Sequence, residues 1–299
     1  MTITRRNMLI TGAGLTGVAL AASAQRTPAL PLDLTSPESA LNAYIKLRGS
    51  TAKETVYQAY EGDIFLVADG QVGIPLAGFR GIQKSHWQPH PEGGYVNQDY
   101  DVGVYVDYET RVPLDIWTNP LTGRTVDVVH YRGGPSGGHF RVNAEEADVY
   151  SNLSGGRWTT LGNQLWHTSS NWGRRSNPLQ PDDWPLASAG ESILGSMSLS
   201  FAGRVDEVVD PELHQVPALQ LWTNSVSWMP WMEMGQRPGF NLWRWVGAKG
   251  IKREELASEL VTAVEAIWPG YVSNDSVWKV PTSGRRDYMR IKRGLQPTS

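Results

Sequence analysis

Short apolar runs with a period of two, separated by turn residues, are the feature that most constrains this fold. In the segment 102–108, Val102, Val104 and Val106 point one way and the intervening residues point the other way. The expected strands are 64–67, 74–79, 102–108, 114–118 and 125–131, followed by 140–142, 157–161, 164–168, 197–204 and 219–228. This pattern predicts a mainly β protein, an antiparallel β-barrel or sandwich, of which a calycin-like barrel is one form.

Turn and helix signals complete the outline. Asp69-Gly70 is typical of a hairpin turn. Ser36 and Pro37 open an N-terminal helix that Gly49 can end, and segment 254–268 has the buried stripe of a C-terminal helix. The remaining segments are predicted to be a glycine-rich loop at 133–138, a long surface excursion at 171–184, and an edge strand or solvated tail at 285–292.

The first 24 residues have the pattern of a twin-arginine signal peptide. Arg5 and Arg6 precede a mildly apolar stretch, and Ala22-Ser23-Ala24 supplies a small-residue cleavage site. A competing dinucleotide fingerprint, G-x-G-x-x-G at 12–17, lacks the strand before it and the long helix after it. We therefore expect export to the periplasm or medium by the twin-arginine machinery, and a single β-rich domain over 25–299.

Composition narrows the class of function. The chain has no cysteine, which excludes disulfides and thiolate metal sites, and its net charge of −3 without a basic run does not favour nucleic-acid binding. The leader stretch is shorter than the about 20 apolar residues of a membrane span, so no stable membrane anchor is expected. Tryptophan and tyrosine are abundant, at 13 and 11 residues, and both suit ligand cavities as well as cores.

Four residues are candidates for acid–base chemistry. Asp101 and Tyr105 share one strand face, Asp127 could face them from another strand, and His130 could exchange a proton at neutral pH. We expect Asp101 or Asp127 to orient His130, with Tyr105 as a second acid. The alternative is that the valines fill the core and the acids face solvent, and the sequence leaves open which face is buried.

A second set of residues is a candidate ligand pocket. The segment 228–234 is rich in tryptophan and methionine, a plastic apolar surface suited to a flat hydrophobic ligand. Arg237 could meet a carboxylate or phenolate of that ligand, or pair with Glu233. The tryptophans expected to wall the pocket are Trp117, Trp222, Trp228 and Trp231. The alternative is that these rings only pack the core.

Histidines provide a metal-binding alternative. His86 and His90 lie four residues apart, and His130, His139 or His167 could add a third imidazole. Pro89 excludes a regular helix there, and no H-E-x-x-H signature is present. The other interpretation is that these are loop histidines bonded to the backbone.

Two motifs carry a family resemblance. Trp117-Thr118-Asn119-Pro120-Leu121-Thr122-Gly123 has the form W-x-N-P-x-T-G, and 228–235 has the form W-x-P-W-x-x-M-G. The chain resembles a family of uncharacterised bacterial and fungal proteins, a domain of unknown function often preceded by a twin-arginine leader. It departs from that pattern at Arg132-Gly133-Gly134-Pro135, and the resemblance implies no activity.

Together these features predict an exported enzyme acting on a hydrophobic or aromatic small molecule. The expected mode is cofactor-free general acid–base chemistry of the isomerase, cyclase or lyase type. The alternatives are a lipocalin-like binding protein without catalysis and a histidine-ligated metal-dependent enzyme.

Overall fold

A computed structural model describes residues 32–68, 73–142 and 156–295. The predicted signal peptide, 1–24, and the predicted hairpin turn at Asp69-Gly70 lie outside the described residues. The described elements belong to one compact unit, Pro31–Ser299.

Within the described part of the chain, ten strands form one antiparallel sheet and two more form a small separate hairpin. The sheet follows the order β6-β3-β2-β1-β12-β11-β10-β9-β8, with β7 paired to β3, and the hairpin is β4-β5. The strands are β1 Glu54–Val67, β2 Ile74–Pro89, β3 Tyr95–Val106, β4 Ile116–Thr118, β5 Thr125–Asp127, β6 Tyr131–Ser136, β7 His139–Phe140, β8 Arg157–Leu161, β9 Gln164–Ser176, β10 Ser192–Arg204, β11 Ala218–Val226 and β12 Phe240–Ile251.

Four α-helices and two short 3₁₀ segments accompany the sheet. The helices are α1 Pro37–Arg48, α2 Val205–Val208, α3 Ser258–Ile267 and α4 Gly284–Lys292, and the 3₁₀ segments are Pro230–Met232 and Arg253–Glu255. The Ser36 side chain accepts the Ser39 N–H at the start of α1, as the sequence predicts for a cap. None of the helices in the described residues is long and apolar enough to cross a membrane.

The sheet is open, since its strand path ends at β6 and β8 rather than closing on itself. The mainly β, antiparallel fold with an N-terminal and a C-terminal helix is confirmed, whereas the sheet that the described residues form does not close into a barrel. The sheet instead buries its two faces against separate layers, as a sandwich does.

The two faces of the sheet carry different side chains. One, which we call the aromatic face, bears Tyr60 on β1, Phe79 on β2, Tyr105 on β3, Trp222 on β11 and Trp245 on β12. The opposite face packs against α3 through a second apolar cluster. Members of that cluster are Tyr57, Ile82, Val102, Val104, Leu260 and Val264.

The aromatic face is covered at its two ends and less covered between them. At one end α1 packs on it through Tyr44 and Leu47. At the other end Trp117, Trp231 and Tyr288 pack on it. The side chains between these two layers remain partly exposed, namely Gln83, Asp101, Trp222 and Trp245. This arrangement leaves polar and aromatic groups accessible in the middle of a largely buried surface.

Three segments differ from their sequence predictions. Residues 131–136 form a strand, not a loop, because Gly134 leaves room for the Asp99 carbonyl of β3 and Gly133 leaves room for the Tyr131 ring. Residues 171–176 continue β9 and pair with β10 rather than forming a surface excursion. These strand residues are exposed, so their polar composition resembles that of a loop. Residues 284–292 are helical because Ser283 caps the segment and Asp287 is buried in an ion pair.

Candidate functional site

A carboxyl–phenol pair lies at the middle of the aromatic face. The Tyr60 hydroxyl donates a hydrogen bond to Asp101 Oδ1 at 2.7 Å. Tyr60 is on β1 and Asp101 is on β3, so the tyrosine side chain reaches across β2. Gly81 makes this reach feasible, because a Cβ at that position would clash with the Tyr60 hydroxyl. The pair thus depends on a glycine inside a strand.

Aromatic rings form a row on either side of Tyr60. Its ring stacks on Phe79 at a centroid distance of 5.6 Å and on Trp245 at 4.8 Å. Trp245 in turn lies 5.1 Å from Trp222. Trp245 and Trp222 are partly exposed, so they offer apolar surface to a flat ligand on the side of Tyr60 that faces away from Asp101.

The surroundings of Asp101 raise the pKa of its carboxyl group. Burial raises the pKa of this carboxyl to about 7, the hydrogen bond from Tyr60 opposes the rise, and the nearby Asp99 charge adds to it. Burial, followed by the Asp101 charge, raises the pKa of Tyr60 well above its ordinary value. At neutral pH Tyr60 therefore keeps its proton, while Asp101 exchanges its own.

The neighbouring Asp99 is held differently. Its carboxylate accepts hydrogen bonds from Ser85, Asn97 and Arg48, the last at 3.3 Å. Burial raises the pKa of Asp99, and the Arg48 guanidinium opposes that rise. Because its acceptor sites are occupied, Asp99 acts on Asp101 through its charge and is not itself placed to accept a substrate proton.

Amide groups add buried polar atoms to the aromatic face. Gln58 Oε1 and Gln220 Oε1 are buried and have no hydrogen-bond partner among the described residues. Gln58 is in the same row of the register as Asp101, whereas Gln220 lies two strands from Tyr60 on the side away from Asp101. Buried acceptors without donors are costly, and a ligand with hydroxyl or amide donors would satisfy them.

The structure places the other predicted catalytic residues apart from Asp101. His130 Nδ1 accepts the backbone N–H of Tyr105 at 3.1 Å, and burial lowers the pKa of the imidazole. The Asp127 carboxylate is 79% exposed and lies 3.5 Å from Lys292 Nζ. Among the described residues no hydrogen bond joins His130 to Asp101 or Asp127, and its Nδ1 bonds to the strand backbone instead. Tyr105 shares the aromatic face with Asp101 but is fully buried.

The predicted pocket tryptophans lie in one apolar cluster. Trp117 packs edge-on to Trp231 at 5.4 Å, Trp228 is buried with them, and Trp222 packs at the margin of the same cluster. Arg237 is exposed, and its backbone carbonyl accepts the Trp228 indole N–H at 2.7 Å. Three of the four rings thus fill the covered end of the aromatic face, and Trp222 alone reaches its open middle.

The predicted metal ligands are not grouped together. His86 Nδ1 hydrogen bonds to the Thr55 hydroxyl at 2.9 Å, whereas the His90 ring packs 4.0 Å from the His139 ring. Within residues 32–68, 73–142 and 156–295, no group of three or more histidine, cysteine or acidic residues is placed to hold a metal ion.

Sequence reasoning missed Tyr60 and Trp245, the two residues that complete the site. The sequence signal that could have indicated Tyr60 is the glycine inside each neighbouring strand. A Cβ at Gly81 would clash with the Tyr60 hydroxyl, and one at Gly247 would crowd the Tyr60 side chain. An isolated glycine in a strand often marks the close approach of another group.

These features define an open antiparallel β-sheet protein whose aromatic face holds a tyrosine–aspartate pair. The chain belongs to the family described as protein of unknown function DUF1838, whose model matches residues 53–283. That match includes Tyr60, Asp101 and Trp245. No curated protein matches the sequence.

Proposed function

We propose that this protein is an enzyme that acts on a hydrophobic, aromatic small molecule by cofactor-free acid–base chemistry of the isomerase, cyclase or lyase type. The observation that carries the proposal is the hydrogen bond from Tyr60 to the Asp101 carboxyl, whose pKa burial raises to about 7, at one end of a row of stacked aromatic rings. Asp101 would take a proton from the substrate and return it at another atom. Tyr60 would orient the carboxyl and hold its charge when it is ionised.

The pKa of Asp101 suits this role. A group that accepts and then returns a proton works best when its pKa is near the working pH, and such groups contribute about 10²–10⁴-fold to rate. An ordinary aspartate, with a pKa of about 3.9, is too weak a base for an unactivated carbon acid. Burial beside Tyr60 and Asp99 moves Asp101 into the useful range.

The rings supply the binding surface. The rings follow the order Phe79, Tyr60, Trp245 and Trp222, and the last two are partly exposed. Flat aromatic ligands stack on such surfaces, and each ring pair adds about 0.5–1.5 kcal/mol beyond burial.

The test is proton exchange at carbon. The purified protein is incubated in D₂O with β-tetralone, a flat and readily enolised aryl ketone, and deuterium uptake is followed by NMR. Wild type should accelerate uptake with an apparent pKa near 7, Asp101→Asn should lower the rate about 100-fold, and Tyr60→Phe should lower it about 10-fold. Asp127→Asn is the matched control and should retain the wild-type rate.

Two outcomes would reject catalysis. If wild type binds the ketone but exchanges its protons no faster than Asp101→Asn, the protein is a small-molecule binder of the lipocalin-like kind. If exchange requires added zinc or iron and is abolished by a chelator, the metal-dependent alternative replaces the proposal.

We also propose that residues 1–24 direct export through the twin-arginine machinery to the periplasm or medium. The support is Arg5-Arg6 before an apolar stretch and an Ala22-Ser23-Ala24 cleavage pattern. In a bacterial host, the full chain should appear outside the cytoplasm with an N-terminus at Gln25. Changing Arg5 and Arg6 to lysine should retain it inside. An unprocessed cytoplasmic chain in both cases would reject this proposal.

A further inference from the structure

A hollow lies on the face of the sheet opposite to the aromatic face, where β1 begins and β2 ends. Its volume is about 600 Å³, within the range of small-molecule sites. Thr55, His86 and Gln98 form one row across β1, β2 and β3, and Gln88 and Val96 pair in the next row. Because residues two apart on a strand share a face, these five side chains point to the same side of the sheet.

His86 is held in a fixed orientation at the centre of this row. A hydrogen bond of 2.9 Å joins its Nδ1 to the Thr55 hydroxyl, and its ring packs edge-on to Tyr100 at 5.8 Å. Tyr100 belongs to the apolar cluster that packs against α3, which places His86 on the face opposite to Asp101. The His86 Nε2 atom has no hydrogen-bond partner among the described residues. One polar atom of an oriented, partly buried imidazole is thus free for a ligand.

The ions next to His86 are already paired. Lys84, two residues away on β2, donates to the Tyr271 carbonyl at 2.7 Å and to Asp275 at 3.3 Å. Burial, followed by the Lys84 charge, lowers the pKa of His86, and the charges of Asp275 and Asp99 oppose this change. At neutral pH the imidazole is therefore uncharged, and its Nε2 can donate or accept a hydrogen bond.

Three further polar side chains around the hollow are free. Gln88, Gln98 and Lys53 make no hydrogen bond or ion pair with other described residues. Each glutamine amide offers two donors and a carbonyl acceptor, so the two suit a ligand that both accepts and donates. Glu54 also lines the hollow, but its carboxylate turns to the other face of β1, where it accepts a hydrogen bond from Gln215 at 3.1 Å. Lys53 therefore gives the hollow its charge, which favours an anionic ligand with several hydroxyl groups.

We propose that this hollow binds a sugar acid, a small carboxylate that carries several hydroxyl groups. Lys53 meets the carboxylate, and the His86 imidazole and the two glutamine amides bond to the hydroxyl groups. The described residues around the hollow present no exposed aromatic ring, so the flat apolar ligands expected on the aromatic face do not suit it. The site lies across the sheet from Asp101, and it does not depend on the proposed function.

The test is an NMR titration of histidine-labelled protein with three small ligands. The imidazole resonance of His86 is identified by its absence from the spectrum of His86→Gln. D-Glucuronate should shift this resonance saturably, with a Kd of about 1 mM. D-Glucuronamide keeps the ring and hydroxyl groups but lacks the charge, and acetate keeps the charge but lacks the hydroxyl groups. Each should bind at least about 3-fold more weakly than glucuronate, as expected when a contact with an exposed ammonium group or with the amides is lost.

Two variants assign the contacts. Lys53→Gln should lower the affinity for glucuronate to that for glucuronamide, and Gln98→Ala should weaken both ligands by a similar factor. Arg244→Gln is the matched control, because Arg244 is an exposed cation on the same face of the sheet. It pairs with Asp63, eight residues along β1 from Thr55, or about 26 Å at 3.3 Å per residue. This variant should keep the wild-type affinities.

Three results would overturn this inference. The first is the absence of a saturable shift of the His86 resonance with glucuronate, which needs no variant beyond the one used for assignment. The second is equal affinity of wild type for glucuronate and glucuronamide, or for glucuronate and acetate. The third is a preference for glucuronate that survives Lys53→Gln in a variant with the circular dichroism spectrum of wild type. None of these results depends on proton exchange at Asp101, so the two proposals succeed or fail separately.

Discussion

The Tyr60 hydroxyl donates a hydrogen bond to Asp101 across an intervening strand, with 2.7 Å between Oη and Oδ1. The bond spans β2 at Gly81, where any side chain would block it. It connects the centre of the sheet to a carboxyl whose pKa is raised by burial to about 7. The following predictions test this relationship and the packing around it.

Asp101 should make the protein less stable as the pH rises. Its pKa is higher in the folded state than the 3.8 of an ordinary aspartate, so the folded state binds more protons between these values. The stabilisation that the raised pKa of Asp101 contributes is complete below about pH 4 and is lost as the pH rises through about 7. In urea unfolding, Asp101→Asn should gain about 3 kcal/mol relative to wild type between about pH 5 and pH 8.

The control for this experiment is Asp127→Asn, at a carboxylate that is 79% exposed. This variant should follow the wild-type curve over the same range. A constant difference between Asp101→Asn and wild type at every pH would show that Asp101 ionises normally.

Gly81→Ala should displace Tyr60 and weaken the fold. The added Cβ would clash with the Tyr60 hydroxyl and with the backbone carbonyl of Val102, which cannot move freely. We expect a loss of about 1–3 kcal/mol in the free energy of unfolding, as for other overpacked sites. Gly173→Ala, in β9, has open space around the new methyl group and should change stability by less than about 0.5 kcal/mol. Equal effects of the two substitutions would contradict the close approach of Tyr60 to β2.

The sequence predicted the strands better than it predicted the site. Alternation of valines at 102–106 correctly separated the two faces of β3. The alternation could not reveal which face has room for a partly exposed carboxyl. The exposure of Asp101 depends on which parts of the aromatic face are covered, by α1 at one end and by the layer containing Trp231 at the other. These contacts join residues far apart in sequence, so no local pattern records them.

The charged segment at 284–292 and the glycine-rich segment at 133–138 differ most from the structure that their sequences predict. Residues 284–292 are mostly charged, and the helix is held by the buried Arg132–Asp287 ion pair together with the packing of Tyr288 in the core. The glycine-rich segment 133–138 is predicted to be a loop, because glycine disfavours strands. Gly133 is nonetheless needed in β6, where a Cβ would clash with the Tyr131 ring. Both exceptions arise from tertiary partners that composition does not show.

The Arg132–Asp287 pair should be a major determinant of how α4 is attached. Its bonds are 2.8 and 2.9 Å long, and the two side chains are 6% and 3% exposed. Asp287→Asn leaves a buried guanidinium without its charge partner, so we expect a loss of about 3–5 kcal/mol in urea unfolding. The exposed pair Arg204–Asp206 provides the control, since Asp206→Asn should cost less than about 1 kcal/mol. Similar losses at both sites would contradict the burial of the first pair.

Trp245 should be a determinant of aromatic binding. Its ring stacks on Tyr60 at 4.8 Å and is partly exposed. Trp245→Ala should weaken binding of β-naphthol about 10-fold in calorimetric titrations, through lost stacking and apolar area. Trp172→Ala, which removes a ring that is 82% exposed on β9, should leave the affinity unchanged. If the two substitutions weaken binding equally, the ligand does not lie on the aromatic face.

The central claim is that Asp101 exchanges its proton at neutral pH, and carboxyl-¹³C NMR of aspartate-labelled protein measures this directly. One resonance should titrate with a midpoint near pH 7, and it should be absent from the spectrum of Asp101→Asn. If the resonance lost in Asp101→Asn titrates instead near the ordinary aspartate value of about 3.9, Asp101 is not the proton carrier proposed for this site.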